Sequence, residues 1–352
     1  MKLHRTLLLA TAAFGATALS AHAEVNVIAS IKPVHSLVAA VMKGAGEPSL
    51  IVEGAGSPHT YSLKPSQAAA LQDADLIFWI GDDLEAFLEK PISTIGSGKS
   101  VELIHSHGLE TLGFREGGAF EKHVHGDEHA DEDHEHEHEE AGDHDHEHEH
   151  EEAGDHDHDH EEEHAEGHEH EDEHHHHHGD VDMHAWLDPV NAKAMVHEIE
   201  EALAEADPDN AALYEKNAAA LSERLDTLTT ELSTELDPVK DKGFIVFHDG
   251  YQYFEHRFGL SAAGSITVSP DVMPGADRLK EIQSKVRDLS ATCVFGEPQF
   301  EPKLVSVVIE GSDAKSGTLD PLGAAIEPGP DLYFELRQNM AHSFTSCLSG
   351  NS

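Results

Sequence analysis

Asn210-Ala211-Ala212-Leu213-Tyr214-Glu215-Lys216-Asn217-Ala218-Ala219-Ala220-Leu221-Ser222-Glu223-Arg224-Leu225-Asp226-Thr227-Leu228-Thr229-Thr230-Glu231-Leu232-Ser233-Thr234-Glu235-Leu236 decides the architecture. Leu213, Tyr214, Ala218, Leu221, Leu225, Leu228 and Leu232 recur at helical spacing along one stripe. The stretch predicts one helix of roughly 27 residues, about 40 Å long at 1.5 Å per residue. Such a helix is long for a globular chain and reads as a rigid connector between two lobes. The alternative is two shorter helices in one domain.

Upstream, strand and helix patterns alternate. Val25 to Ser30 reads as a buried strand, Pro33 to Met42 as a helix, and Leu50-Ile51-Val52 as a strand. A Gly- and Pro-punctuated loop, Gly54 to Ser66, follows and carries His59. Pro65 opens a helix, Leu76 to Ile80 is a strand, Asp83 to Leu88 a short helix, and Val101 to Ile104 a strand. Asp188-Pro189 then reads as an N-cap and first turn of a helix running to about Ala206. Downstream of the connector the alternation restarts. Strands are expected at Phe244 to Phe247, Ser265 to Val268, Cys293 to Phe295 and before Asp320. Helices are expected at Tyr251 to Phe258, Ala276 to Leu289, Pro302 to Ile309 and Leu332 to Met340. This rhythm predicts an α/β fold, two lobes each with a mostly parallel sheet flanked by helices, joined by one long rigid helix.

One stretch breaks the rhythm. Residues 121–180 hold 21 of the 32 histidines and 28 of the 69 acidic residues against one basic residue, Lys122. Its formal charge of −27 is more than half of the −47 total. No Val, Ile, Leu, Phe, Tyr or Trp lies between Val124 and Val181, so burial cannot offset its chain entropy and disorder is expected. Glu139 to His146 recurs as Glu151 to His158, an expanded low-complexity repeat. His134-Glu135-His136-Glu137-His138 matches HExxH formally, but alternating His and Glu generates that match by chance. Imidazole and carboxylate at this density suit borderline divalent metals such as Zn²⁺. His134, His136, His138, His144, His146, His148, His150, His156, His158, His160 and His174, His175, His176, His177 and His178 are expected as auxiliary metal ligands. An inert solvated insertion is the plainer alternative.

Lys2, His4 and Arg5, the apolar run Leu7 to Leu19, and Ala21-His22-Ala23 form a three-part export signal, with Glu24 as the mature start. The run is too short to span a bilayer. The expected division is 1–23 signal peptide, 24–188 N-terminal α/β lobe with an insertion at 117–180, 189–240 helical segment, and 241–352 C-terminal α/β lobe. Net negative charge argues against nucleic acid and anionic membranes and favours cations. In an exported chain Cys293 and Cys347 are expected to pair; two buried free thiols are the alternative.

His59, His184, His248 and Asp320 each sit in a loop beside a strand end or helix start, two in each half. Loops from two lobes can converge in the cleft between them, and three imidazoles with a carboxylate or water suit tetrahedral Zn²⁺. From spacing alone the signal is weak, because a loop histidine is more often solvated. His105 and His107 are secondary candidates, and His35 reads as a surface or packing histidine before a ligand.

Four segments carry a resemblance. They are Ser57-Pro58-His59-Thr60-Tyr61-Ser62-Leu63-Lys64-Pro65-Ser66, Met183-His184-Ala185-Trp186-Leu187-Asp188-Pro189, Phe247-His248-Asp249-Gly250-Tyr251-Gln252-Tyr253-Phe254 and Gly317-Thr318-Leu319-Asp320-Pro321. They resemble the metal-binding motifs of the zinc and manganese solute-binding proteins of ABC importers, above all the periplasmic zinc-binding components of high-affinity zinc uptake systems. The resemblance covers essentially the whole mature chain and includes the histidine-rich insertion. It implies metal held between two lobes by His59, His184 and His248, with Asp320 matching a carboxylate that completes the site in many members. A histidine at the third position, His248, favours zinc over manganese. Some zinc members place a glutamate before the first histidine; here it is Pro58, which leaves Asp320 or water as fourth ligand. The resemblance also implies a Cys293–Cys347 disulfide.

The expected function is capture of Zn²⁺ in the periplasm by a monomeric, non-catalytic protein. Delivery would be to an inner-membrane permease with a cytoplasmic ATPase. The alternatives are a stand-alone zinc buffer or chaperone, a manganese or iron importer component, and a zinc hydrolase. A believable helix with a glutamate general base for a hydrolase is missing.

Overall fold

The computed structural model describes residues 25–115, 120, 181–267, 274–288, 293–301 and 303–349. The expected signal peptide, the histidine-rich stretch at 121–180 and its auxiliary histidines lie outside the described residues.

The first lobe runs β1 (Val27–Ala29), α1 (Lys32–Val41), β2 (Ser49–Leu50), α2 (Pro65–Asp73), β3 (Leu76–Trp79), α3 (Ala86–Ile95) and β4 (Lys99–Glu102). Its strands are all parallel, in the order β2-β1-β3-β4. After α4 (Pro189–Ala206) and α5 (Ala211–Leu236) comes the second lobe. It runs β5 (Phe244–His248), α6 (Gln252–Phe258), β6 (Ser265–Thr267), α7 (Ala276–Asp288), β7 (Cys293–Gly296), α8 (Lys303–Ile309), β8 (Lys315–Thr318) and α9 (Leu332–Leu348). This sheet is also parallel, in the order β6-β5-β7-β8. Both lobes therefore repeat one topology, in which the first strand lies inside and the chain order reverses beside it. Ligand crevices in parallel sheets form at that reversal, beyond the carboxyl ends of the strands.

The connector is one unbroken helix of 26 residues. Tyr214, Ala218, Leu221, Leu225, Leu228, Leu232 and Leu236 bury its apolar stripe against α4, α1 and α9. Asp188 caps α4 by accepting from Val190 N at 2.8 Å, with Pro189 in the first turn. In β5 the period-2 alternation splits two cores. Phe244 and Val246 join a core continuous with the first lobe and the connector, while Ile245 and Phe247 face a smaller one with Ile282, Val286, Val305 and Val308. Cys293 and Cys347 are bonded, Cα atoms 6.1 Å apart, tying β7 to α9.

Several boundaries differ from the sequence reading; the strand expected at Val101 to Ile104, for one, is Lys99–Glu102, followed by a 3₁₀ turn at Leu103–His105. The helix expected at Asp83 to Leu88 instead spans Ala86–Ile95 with Pro91 inside it. The chain first turns, Leu84 N and Glu85 N donating to Gly81 O, and the helix then buries Leu88 despite its proline. The strand expected at Leu50 to Val52 is Ser49–Leu50, although Ile51 N and Val52 N still donate to Ala29 O and Ser30 O at 3.0 and 2.8 Å. The last helix runs eight residues beyond Met340, because Ala341, Phe344, Cys347 and Leu348 continue its buried face. No helix among the described residues is long and apolar enough to cross a membrane.

Candidate metal centre

His248 is the last residue of β5, at the carboxyl end of the inner strand of the second sheet. His184 precedes a 3₁₀ turn, Ala185–Leu187, that leads into α4. That turn is held by the second lobe. Trp186 Nε1 donates to Pro321 O at 3.1 Å, Tyr333 Oη donates to Trp186 O at 2.8 Å, and Arg337 Nη1 donates to Leu187 O at 3.4 Å. His59 sits in the turn between β2 and α2. Tyr61 Oη and Gln67 Nε2 brace that loop on Ile51 O at 3.1 and 2.7 Å.

The three imidazoles converge. Nε2 of His184 lies 3.3 Å from Nε2 of His59 and 3.2 Å from Nε2 of His248. One ligand atom from each of the three lies within 4.8 Å of the others. His184 and His248 are buried and His59 is half-buried. The space they border with Trp186, Pro321 and Leu322 is about 10 Å³, the room of a single water.

Carboxylates fix the far side of two rings. His184 Nδ1 donates to Asp182 Oδ1 at 2.7 Å, and His248 Nδ1 donates to Glu297 Oε1 at 2.5 Å. With the proton assigned to Nδ1 by these bonds, the Nε2 lone pairs are left facing the shared point. This arrangement orients imidazoles and raises their basicity as metal ligands. Burial opposes the charged form of His248, but the Glu297 carboxylate, with Asp249 and Asp182 beyond it, outweighs this and lifts the ring above its usual range. Burial, then the charges of His184 and His248, hold His59 well below its usual range. Burial likewise opposes ionisation of Asp182, yet His184 outweighs it and lowers that carboxyl.

Asp320 is not brought into the converging group. Its Oδ1 accepts from Leu322 N and Gly323 N at 3.0 and 2.9 Å, its Oδ2 from Ala324 N at 2.6 Å, and Gln299 Nε2 donates to Oδ1 at 3.1 Å. The same loop is held to the first lobe by Lys32, whose Nζ donates to Gly323 O, Ala324 O and Ile326 O at 2.8 to 3.1 Å. His35, His105 and His107 are also outside the group; His35 Nε2 faces Pro48 O at 3.0 Å.

Sequence reasoning did not single out Asp182, Glu297 or Gly250. A Cβ on Gly250 would stand 2.9 Å from His184 Nε2 and closer still to His248 Nε2, so only glycine leaves that wall open. The local signal for Asp182 was its place two residues before His184.

Residues 27–347 match the family described as Zinc-uptake complex component A periplasmic. The chain belongs to this family. It is 57% identical over 325 residues to the high-affinity zinc uptake system protein ZnuA of Brucella suis biovar 1 (strain 1330), covering 92% of each chain. It is 42% identical over 346 residues to the protein of that name from Paracoccus denitrificans (strain Pd 1222), covering 98% of each. A crystal structure of ZnuA superposes with a TM-score of 0.66 at 24% identity, over 92% of this chain and 100% of that one, and so shares its fold.

Proposed function

We propose that this chain captures Zn²⁺ in the periplasm on His59, His184 and His248 and delivers it to the inner-membrane permease of an ABC importer with its cytoplasmic ATPase. The observation that carries this reading is the convergence of three Nε2 atoms around space for one ion. Two of the rings are aimed there by Asp182 and Glu297. Three neutral imidazoles form a borderline-soft donor set that suits Zn²⁺ and disfavours Ca²⁺ and Mg²⁺. An importer component for manganese or iron would be better served by a carboxylate at the position of His248.

A water supplies the fourth position in this reading. Asp320 is outside the converging group, and both of its oxygens accept from backbone N–H groups of its own loop. His59 is the half-buried ring of the three, and in this reading it is the first to meet an arriving ion. The amino-terminal residues act as a cleaved export signal, and the histidine-rich stretch as an auxiliary chelator that raises the local zinc concentration.

Uptake of radioactive zinc tests the transport role. Cells lacking the chain should lose high-affinity uptake and regain it with the wild type, but not with His59→Ala/His184→Ala/His248→Ala. Unchanged uptake in the deletion, with tight binding by the purified protein, would identify a stand-alone zinc buffer.

A further inference from the structure

The segments that flank residues 116–180 form a short stem docked on α6. Gly113 and Val181 make an antiparallel bridge, and Asp182 N donates to Leu112 O at 2.9 Å. Tyr253 Oη on α6 accepts from Leu112 N at 3.0 Å and donates to Asp182 O at 2.6 Å. Gln252, the first residue of α6, donates from Nε2 to Gly113 O at 2.8 Å and to Asp182 Oδ2 at 3.0 Å. The other oxygen, Asp182 Oδ1, takes both N and Nδ1 of His184, at 3.0 and 2.7 Å. A carboxylate held only through Oδ1 can swing about its own axis. Gln252 pins the second oxygen and so fixes the plane that aims the His184 ring.

A second tie runs to His248. Arg115, in the same stem, donates from Nε to Asp249 Oδ1 at 3.0 Å and from Nη1 to Glu255 Oε2 at 2.8 Å. Asp249 and Glu255 are 5% and 2% exposed. Asp249 directly follows His248, and Glu255 lies on α6. Two buried carboxylates beside each other repel unless a cation stays between them. Arg115 is that cation, and it holds the turn after β5 against α6.

We propose that Gln252 and Arg115 are positioning residues for the metal centre: Gln252 acts on His184 through Asp182, and Arg115 acts on His248 through Asp249. The affinity of the triad is then set by how the stem seats on α6. This inference rests on the reading of the triad as the zinc site.

The test uses the mature chain with Gln252→Ala, Arg115→Gln and His184→Ala. Zn²⁺ is titrated against a competing chelator, and Co²⁺ is added to each protein to record its d–d absorption. Gln252→Ala and Arg115→Gln should each weaken Zn²⁺ binding about tenfold to a hundredfold, the range for partners that orient a ligand. Each should also shift the Co²⁺ bands, which report ligand geometry and which a loss of folded protein alone would only scale down. Wild-type affinity in both variants, or weaker binding with unshifted bands, overturns the inference while leaving the triad in place. Wild-type Zn²⁺ binding by His184→Ala overturns the metal-centre reading itself.

Discussion

Glu297 Oε1 lies 2.5 Å from Nδ1 of His248, across the two adjacent strands β5 and β7 of the second sheet. The pair sits where the strand order reverses, so the topology itself brings a carboxylate behind a ring that closes the candidate site. Glu297→Ala should weaken Zn²⁺ binding about tenfold to a hundredfold, because the ring loses both its aim and its basicity. Glu297→Gln keeps an acceptor for Nδ1 and should fall between the two. A competitive zinc titration checks the order; equal affinities in all three proteins would show that the carboxylate does not act on the site.

Gly250 tests the space rather than the ligands. Gly250→Ala adds one methyl group against the Nε2 atoms of His184 and His248. Tight zinc binding should be lost while the circular dichroism spectrum stays that of the wild type. Retained affinity would mean that the rings open at little cost.

The pH dependence follows from the displaced ring. Glu297 outweighs burial and raises His248, so a proton competes with zinc there at pH values above the ordinary imidazole value of about 6.5. His59 is held well below its usual range and stays unprotonated until lower pH. Affinity should therefore begin to fall above pH 6.5 as pH drops, and keep falling through pH 5. Titrations at pH 8, 7, 6 and 5 check this; a flat profile contradicts a histidine site.

Glu85 gives a separate prediction for stability. It is fully buried, accepts from Ile80 N and Gly81 N at 2.8 and 3.1 Å, and burial pushes its carboxyl up to about 7. An acid with a raised folded pKa binds its proton more tightly in the folded state. Its contribution is present below the unfolded value of about 4.5 and is lost as pH rises through about 7. A displacement of that size corresponds to about 3 kcal/mol at most. The melting temperature of the metal-free protein should fall between pH 5 and 8, and Glu85→Gln should flatten that fall and raise stability at pH 8. An unchanged slope in the variant would assign the pH dependence to other groups.

Much of the fold was legible because its signals are local. The apolar stripe from Tyr214 to Leu232 named the connector, and short apolar runs such as Phe244 to Phe247 named the buried strands. The α3 boundary was misplaced because the turn that Glu85 makes with Gly81 is not a periodic signal. His59, His184 and His248 came from three separate segments whose meeting no spacing could show; their motifs supplied it. Glu297 escaped notice because it meets His248 across 49 residues, through the adjacency of β5 and β7 that chain order alone does not give. Asp320 was a reasonable candidate by residue type, and only the backbone of its own loop reveals that both oxygens are already engaged.

The most direct measurement is a competitive zinc titration of three mature proteins: intact, lacking residues 121–180, and carrying His59→Ala/His184→Ala/His248→Ala. The account predicts one tight equivalent in the deletion and only weak, multiple binding in the triple variant. Loss of the tight equivalent with the deleted stretch, or its survival in the triple variant, would contradict the assignment of zinc to the three converging histidines.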